Sequence, residues 1–362
     1  MRKRAWIAYP IAAGALTGLW FITGRTPWVF NVAGLLSPVL ILVAVRMWRP
    51  QHRLPWILFA IGQFVFIAGD IVSYNYETLF HPKFPSLFPL DADGYVPFPG
   101  WADGFYLAVY VFLIAGVIML IRARTPGRDR ASLVDALVLS IGLGTISWVL
   151  LISPQVFAQD VTLPIKLTSM AYPMADILLL AAAIRLAVGA GRKPASFWLM
   201  TAAVVTLFAT DAVYGWMSLY TEAGYQPGSG PLEAGWMAFY ILFGAAALHP
   251  SMRQLSERAH DTDQVLTSRR LIVLAATSLL APALLGFEVS KGMTNNVPVL
   301  IGATCLLFIL SVVRMWGLMQ RQLEYLGRER TLREAGAALV TATNRDSMHE
   351  AAGRAIRGIA GG

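Results

Sequence analysis

The 362-residue sequence contains one cysteine, Cys305, and only 14% of its residues are charged. A single cysteine excludes an intrachain disulfide and a cysteine-based metal cluster. Soluble domains have about 25% charged residues, so this composition is not typical of one. Hydrophobic residues make up 56% of the chain, and the mean hydropathy is +0.58. Together, these values predict a membrane protein. A lone cysteine is more often a small core residue than a reactive thiol, so we expect Cys305 to lie in the core.

Catalytic motifs are also absent from the sequence. It contains no HExxH, no CxxC, no phosphate-binding GxxxxGK and no GxSxG. The histidines are scattered rather than spaced as metal ligands, at positions 52, 81, 249, 260 and 349. Gly69-Asp70 resembles half of an intramembrane aspartyl protease motif, but the matching second half is missing. We therefore expect no enzymatic activity and no cofactor.

Ten apolar stretches alternate with polar loops over residues 1–318. Each is close to the length of about 20 residues with which a helix crosses a bilayer. Lipid offers no partner to a bare backbone N–H or C=O, so these stretches should be helices rather than open strands. The sequence predicts an all-α fold, a polytopic membrane bundle of about ten transmembrane helices. The predicted spans are 5–23, 28–48, 54–76, 101–122, 131–153, 165–188, 196–219, 231–249, 269–288 and 296–318.

The net charge of +8 comes from basic residues that are distributed among the loops in a regular way. Basic residues cluster in alternate loops, as at 2–4, 122–130 and 253–270, whereas the intervening loops contain only Arg25, Lys83 and Lys291. This alternation is the positive-inside pattern. It predicts an inner (plasma) membrane protein with both termini in the cytoplasm, and it explains the basic charge without a nucleic-acid partner. The MRKR start favours an uncleaved signal anchor.

Two halves of the membrane region resemble each other. Residues 55–74 can be aligned with 196–214, which places Asp70 on Asp211. A loop and a Gly-Trp pair follow each segment, at Trp101 and at Trp236. The likeness predicts a tandem repeat of residues 1–124 and 131–250, with the spans of 269–318 added after it.

Several aspartates lie inside predicted spans, where insertion of a charged Asp costs about 2.5–3.5 kcal/mol. Such residues usually face a bundle interior or a wet cavity, and here each has a tyrosine about one turn away on the same helix face. One interpretation is a ligand- or proton-sensing pocket whose mouth is walled by the two tryptophans. The alternative is that Asp–Tyr pairs only hold the helices together. The candidate residues are Asp70, Tyr74, Trp101, Asp103, Tyr106, Tyr172, Asp176, Asp211, Tyr214 and Trp236. Asp135, near a basic loop, should instead form a boundary ion pair.

The polar tail from residue 319 onwards predicts a different kind of helix. Glu324–Arg328 and Glu329–Arg333 are i,i+4 pairs in the favourable orientation. They predict a cytoplasmic helix over 319–345 that continues from the last span. A second helix is predicted at about 346–360.

The membrane segments resemble, as a set, the amino-terminal region of actinobacterial-type GGDEF/EAL signalling proteins. The resemblance rests on segments such as GWADGFYLAVYVFLIAGVIMLIR, MAYPMADILLLAAAIRL and GWMAFYILFGAAALHPSM. The tail RERTLREAGAALVTATNRDSMHEAAGRAIRGIAG resembles a signalling helix followed by the first helix of a GAF domain.

This resemblance implies a membrane sensory input module for a cyclic-di-GMP signalling protein. Residues 319–345 would be the signalling helix and 346–362 the truncated start of a GAF-like domain. The expected partners are the lipid bilayer, an output domain in cis or trans, and a second copy in a homodimer formed through the cytoplasmic helix. No GGDEF or EAL motif occurs in these 362 residues, so the family's catalytic residues have no counterpart here.

Two other functions remain open at this point. Repeats and intramembrane aspartates also occur in small-molecule transporters or permeases, which uptake into proteoliposomes would reveal. A ligand-free membrane scaffold would instead bind a cytoplasmic partner through the 319–362 tail.

Overall fold

The computed structural model describes residues 4–341, apart from 93, 125–129, 160, 190, 222–224, 226–227, 229, 256 and 258–267. Every regular element in this part of the chain is helical, which confirms the all-α prediction. The predicted second tail helix at about 346–360 lies outside the described residues.

Ten long helical elements follow one another along the chain. Two of them are interrupted: α5 contains a π-helical turn at Trp148–Ile152, and α9 consists of two segments. The elements are α1 (Ala5–Ile22), α2 (Pro27–Trp48), α3 (Leu54–Tyr74), α4 (Trp101–Arg124), α5 (Arg130–Ser147, Trp148–Ile152 and Ser153–Phe157), α6 (Leu163–Val188), α7 (Ala195–Tyr220), α8 (Glu233–Leu248), α9 (Ser268–Ser278 and Leu280–Ser290) and α10 (Val297–Thr341).

The observed helices lie where the apolar stretches predicted them. Nine helices of the described chain are long and apolar enough to cross a bilayer. The exception is α8, which has 16 residues and rises about 24 Å, short of a hydrocarbon core of about 30 Å. The polytopic membrane helix bundle is thus confirmed, and the repeat division stays a prediction.

Hydrogen bonds between helix ends show which ends share a side of the bundle. Trp48 Nε1 in α2 donates to the carbonyl of Leu248 in α8 at 3.1 Å. At the opposite side, the Tyr74 hydroxyl in α3 donates to Glu233 Oε2 in α8 at 2.5 Å. We call the side with Trp48 and Leu248 the basic side and the side with Tyr74 and Glu233 the acidic side.

A core of aromatic rings and hydroxyl-to-backbone bonds holds the first three helices against α8. The rings of Phe59 in α3 and Phe243 in α8 have centroids 5.0 Å apart. Ser37 in α2 donates to the carbonyl of Tyr240 at 2.7 Å, and the Tyr9 hydroxyl in α1 donates to the same carbonyl at 3.3 Å. Hydroxyl-to-backbone bonds of this kind stabilise helix pairs where lipid supplies no hydrophobic driving force.

Close approach of α3 and α4 depends on a glycine. A Cβ atom added to Gly69 would lie 2.7 Å from the ring of Tyr106, inside van der Waals contact. By contrast, a Cβ atom on Gly18 in α1 would meet no atom within 4 Å. An added methyl group would therefore clash with a neighbouring helix at Gly69 but not at Gly18.

We expect Gly69→Ala to destabilise the bundle and Gly18→Ala to leave it unchanged or more stable. In a helix, replacing glycine by alanine gains about 1 kcal/mol, whereas overpacking at Tyr106 should cost about 1–3 kcal/mol. Unfolding of both variants in mixed micelles by sodium dodecyl sulfate would measure the difference. Equal stability of the two variants would contradict the packing described for Gly69.

The π-helical turn of α5 contacts the turn between α9 and α10. Trp148 Nε1 donates to Asn296 Oδ1 at 3.1 Å, and Asn296 Nδ2 donates to Glu288 Oε1 at 2.8 Å. Gly292 in the same turn has φ +72°, a conformation that favours glycine. The beginning of α10 is thereby tied to α5 and to the end of α9.

The chain divides into two compact units, one up to Leu307 and one from Phe308 onwards. α10 runs through residue 319 without interruption, so the last span and the predicted cytoplasmic helix form one helix of 45 residues. The predicted pair Glu329–Arg333 is present at 2.5 Å on the exposed surface. The side chains of the other predicted pair, Glu324–Arg328, lie outside the described part. Cys305 is exposed, so its predicted place in the core is wrong.

Candidate functional site

One face of α4 presents three polar side chains toward the acidic half of the bundle. Asp103, Tyr106 and Tyr110 follow one another at spacings of three and four residues, which puts them on one face. Asp103 bonds to α6, Tyr106 bonds to α3, and Tyr110 bonds to both α6 and α7. This face organises the polar interior of the membrane domain.

Asp70 of α3 accepts hydrogen bonds from two tyrosines on two other helices. The Tyr106 hydroxyl of α4 donates to Oδ1 at 3.0 Å, and the Tyr240 hydroxyl of α8 donates to Oδ2 at 2.8 Å. Asp70 and Tyr240 are both buried. Two phenolic donors therefore satisfy both carboxylate oxygens, and this aspartate joins three helices.

Asp176 of α6 and Asp211 of α7 share the hydroxyl of Tyr110. The distances from the phenol oxygen are 2.8 Å to Asp176 Oδ1 and 2.9 Å to Asp211 Oδ2. Trp236 Nε1 of α8 donates to the other oxygen of Asp211 at 2.7 Å. Four helices meet at this pair of carboxyl groups.

The geometry of this pair implies a shared proton. A phenol has one proton and can donate it to one carboxylate only. The second short contact requires the other carboxyl group to be protonated and to donate to the phenol oxygen. The negative charge is better held by Asp211, since that group is less buried than Asp176 and also accepts from Trp236. We therefore place the proton on Asp176.

Asp103 lies at the first turn of α4 and bonds across to α6. The Tyr172 hydroxyl donates to Oδ1 at 2.6 Å, and the backbone N–H of Gly100 donates to Oδ2 at 2.7 Å. A carboxylate at a helix N-terminus is also favoured by the helix dipole. Asp103 thus fixes the start of α4 and its contact with α6.

Glu233 begins α8 and collects three donors at the acidic side. Tyr74 donates to Oε2, the Tyr225 hydroxyl donates to Oε1 at 3.3 Å, and the backbone N–H of Gly228 also donates to Oε1. Burial, together with the nearby Glu233 carboxylate, raises the pKa of the Tyr225 phenol to about 12. Tyr225 therefore keeps its proton at neutral pH and stays a donor.

We call this set of groups the carboxylate–tyrosine network. It joins α3, α4, α6, α7 and α8 by hydrogen bonds between side chains. Its members are Asp70, Tyr74, Asp103, Tyr106, Tyr110, Tyr172, Asp176, Asp211, Tyr225, Glu233, Trp236 and Tyr240.

Eight of the ten residues proposed from the sequence belong to this network. Tyr214 lies beside it, with its ring 5.8 Å from that of Trp236. The sequence pattern paired each aspartate with a tyrosine on its own helix, whereas the described bonds join different helices, as for Asp70 with Tyr106. Tyr110, Tyr225, Glu233 and Tyr240 were missed, although Tyr110 follows Tyr106 by one turn on the same face of α4.

Trp101 lies apart from the network. It is 52% exposed, and its Nε1 donates to the carbonyl of Leu87 at 2.8 Å. With Tyr76 and the prolines 89, 97 and 99 it lines a cavity of about 310 Å³ under the loop before α4. The two tryptophans therefore have different environments, since Trp236 bonds directly to Asp211.

The donors that surround these carboxyl groups are phenols, an indole and backbone amides. Among the described residues, no group of three histidine, cysteine or carboxylate side chains is placed to hold a metal ion. The arrangement can take up, release or relay protons, because every carboxyl group lies next to a proton-bearing donor. Asp135 is outside the network: it is buried and forms an ion pair with Arg270 of α9.

No protein-family model, curated protein or solved structure matches this chain.

Proposed function

We propose that this chain is the membrane input module of a cyclic-di-GMP type signal-transduction protein. The carboxylate–tyrosine network is the sensing element, and α10 conveys its state to an output domain. The observation that carries this proposal is that carboxyl groups bonded inside the bundle join five helices. If the network gained or lost one proton, or bound or released a cationic ligand, hydrogen bonds on several of these helices would change at once.

Contacts between side chains and backbone offer a route from the network to α10. Asp211 lies on α7, and Tyr220 at the end of α7 donates to the carbonyl of Leu150 at 3.2 Å. Leu150 is part of the π-helical turn of α5, as is Trp148, which bonds to Asn296 just before α10. All of these groups belong to the unit that ends at Leu307.

The π-helical turn suits a switching role. Single π-helical turns inside α-helices occur frequently at functional sites. A stimulus can shift such an equilibrium only by the difference between its affinities for the two states. In our proposal, the protonation state or ligand occupancy of the network supplies that difference.

The uninterrupted α10 supports transmission as a helix movement. Its polar part exposes Leu323, Leu326 and Leu332, each about half exposed. Exposed leucines on a charged helix are typical of a surface that pairs with another helix. They support a homodimer in which two copies of α10 pair and carry the signal to output domains. The alternating charge of the loops supports a cytoplasmic location for this helix.

A substitution in the route should uncouple the sensor from the output. In a fusion of residues 1–341 to a diguanylate cyclase domain, we expect Trp148→Phe to reduce stimulus-dependent synthesis of cyclic-di-GMP about fivefold. We expect the loss of one hydrogen bond in this route to lower the coupling free energy between the network and the output domain by about 1 kcal/mol. The control is Trp198→Phe, because Trp198 is 60% exposed. An unchanged response in Trp148→Phe would contradict the route.

A proton-coupled transporter is the second candidate, because Asp176 and Asp211 share one proton. Transporter sites are usually built from interrupted helices in matching positions. Here α3 and α7, which contain the aligned aspartates Asp70 and Asp211, both run unbroken. Proteoliposomes with an internal pH dye separate the two functions: a substrate-dependent proton flux would favour transport, and its absence would favour the sensor.

A further inference from the structure

Four cationic side chains converge at the basic side of the bundle, away from the network. Arg124 ends α4, Arg185 lies in the last turn of α6, Lys193 lies in the loop before α7, and Arg270 lies in the first turn of α9. We call these four residues the basic cluster. They come from four separate parts of the chain, so the fold rather than one basic loop brings them together.

Backbone carbonyls hold two of these cations in place. Arg124 is 3% exposed, and its Nη2 donates to the carbonyl of Arg192 at 2.7 Å while Nη1 donates to that of Gln254 at 3.3 Å. Lys193 Nζ donates to the carbonyls of Leu186 and Gly189 at 2.9 and 2.7 Å. Carbonyl oxygens satisfy the hydrogen bonds, but they carry no full negative charge.

The other two cations lie beside these groups. A Cβ atom on Gly189 would be 3.6 Å from Arg185 Nη1, so this guanidinium adjoins the carbonyl that binds Lys193. Arg270 contacts Asp135 through Nη2, and its Nε is buried without a hydrogen-bond partner among the described residues. Asp135 thus pairs with one of the four cations, Arg270.

The electrostatics of Lys193 reflect this crowding. Burial lowers the pKa of its ammonium group, and Arg124, Arg270 and Arg185 lower it further, to about 8. The ring of Phe197 lies 5.2 Å from Nζ on the remaining side. Like charges gathered in a partly buried place repel one another, and a bound anion would remove that repulsion.

We propose that the basic cluster is a binding site for a phosphate group at the end of the membrane-spanning helices. Guanidinium groups bind phosphate through paired N–H donors, and an ammonium group adds a compact charge. Basic pockets between transmembrane helices bind the headgroups of anionic lipids in this way. The ligand chemistry is a phosphate anion, supplied either by an anionic phospholipid headgroup or by free phosphate. This inference is independent of the sensing role of the network.

Binding of defined probes to the full chain in neutral detergent micelles tests the proposal. At constant ionic strength, the titrants would be dihexanoylphosphatidylglycerol, inorganic phosphate and, as the net-neutral control, dihexanoylphosphatidylcholine. Saturable binding of phosphatidylglycerol alone would identify a lipid headgroup as the ligand. Equal or tighter binding of inorganic phosphate would identify a free anion. Failure of both to bind saturably would overturn the proposal.

Substitutions place the binding at the cluster. We expect Arg185→Gln with Lys193→Gln to weaken binding about 25-fold, because each cation near the membrane surface contributes about a factor of five. The matched control removes the exposed Arg46 and Arg53 of the same side and should leave the affinity unchanged. If both double variants bind equally well, the anion lies elsewhere.

A pH series provides a test that needs no charge-removing substitution. The charged form of Lys193 binds the anion, so the affinity should fall as the pH rises through about 8. Lys193→Arg keeps its charge at all these pH values and should abolish the fall. A pH dependence that is identical in wild type and Lys193→Arg would exclude Lys193 from the site.

Discussion

Asp211→Asn should destabilise the membrane domain by about 2–3 kcal/mol, the penalty of a buried polar group that loses its proper partner. Asp211 accepts from Tyr110 through one oxygen and from Trp236 through the other. An asparagine has only one acceptor oxygen, so its amide nitrogen would face one of these two donors. All hydrogen bonds are satisfied only if the amide donates to the Tyr110 oxygen and Tyr110 donates to an ionised Asp176. The negative charge then lies on the buried Asp176, which has fewer donors.

Asp176→Asn should behave differently, with a change in stability below about 1 kcal/mol. In our assignment Asp176 is neutral and donates to the phenol oxygen of Tyr110, and an asparagine amide can make the same donation. The two substitutions make the same chemical change, one carboxyl oxygen replaced by an amide nitrogen, so each is the control for the other. Unfolding in mixed micelles compares their stabilities, and infrared spectroscopy of the wild type should show a protonated carboxyl band that Asp176→Asn removes. A greater loss of stability in Asp176→Asn would reverse the assignment.

Asp70→Ala is the second substitution with a large expected effect, a loss of about 3 kcal/mol. It would leave the hydroxyls of Tyr106 and Tyr240 without the acceptor that both now share. Each buried polar group that loses its partner costs about 1–3 kcal/mol. Denaturant titration of the variant in lipid–detergent micelles would measure the loss.

A rescue experiment distinguishes lost bonds from lost packing at Asp70. Replacing all partners by apolar groups of similar shape is often close to neutral. We therefore expect the triple variant Asp70→Leu, Tyr106→Phe and Tyr240→Phe to regain most of the stability that Asp70→Ala loses. If the triple variant is less stable than Asp70→Ala, the hydrogen bonds are not the cause of the loss.

The helices were predictable because the bilayer sets their length. Each apolar stretch had to be a helix of about 20 residues, and observed bounds such as Leu54–Tyr74 lie within a few residues of those expected. The helix after residue 319 was predicted to continue from the last span, because polarity marks where a helix leaves lipid and not where it ends. α10 therefore continues to Thr341 as one helix.

The residues of the site were more predictable than the hydrogen bonds between them. Intramembrane aspartates signal a polar interior, and Asp70, Asp176 and Asp211 were found for this reason. Which tyrosine bonds to each of them depends on how the helices cross, and spacing along one helix does not contain that information. Tyr240 reaches Asp70 from 170 residues away in sequence. The basic cluster was missed for the same reason, since its members belong to four separate segments.

The central claim is that the state of the network changes the position of α10, and a distance measurement tests it most directly. Spin labels on Arg53→Cys and Leu323→Cys, in a Cys305→Ser background, would report the distance between the basic side of the bundle and the polar part of α10. We predict that Asp211→Asn shifts the distance distribution in liposomes, whereas Asp176→Asn keeps that of the wild type. A label pair at Arg53 and Arg122 on the basic side would show that the bundle remains folded. Identical distributions for all three proteins, with a folded bundle, would contradict the claim.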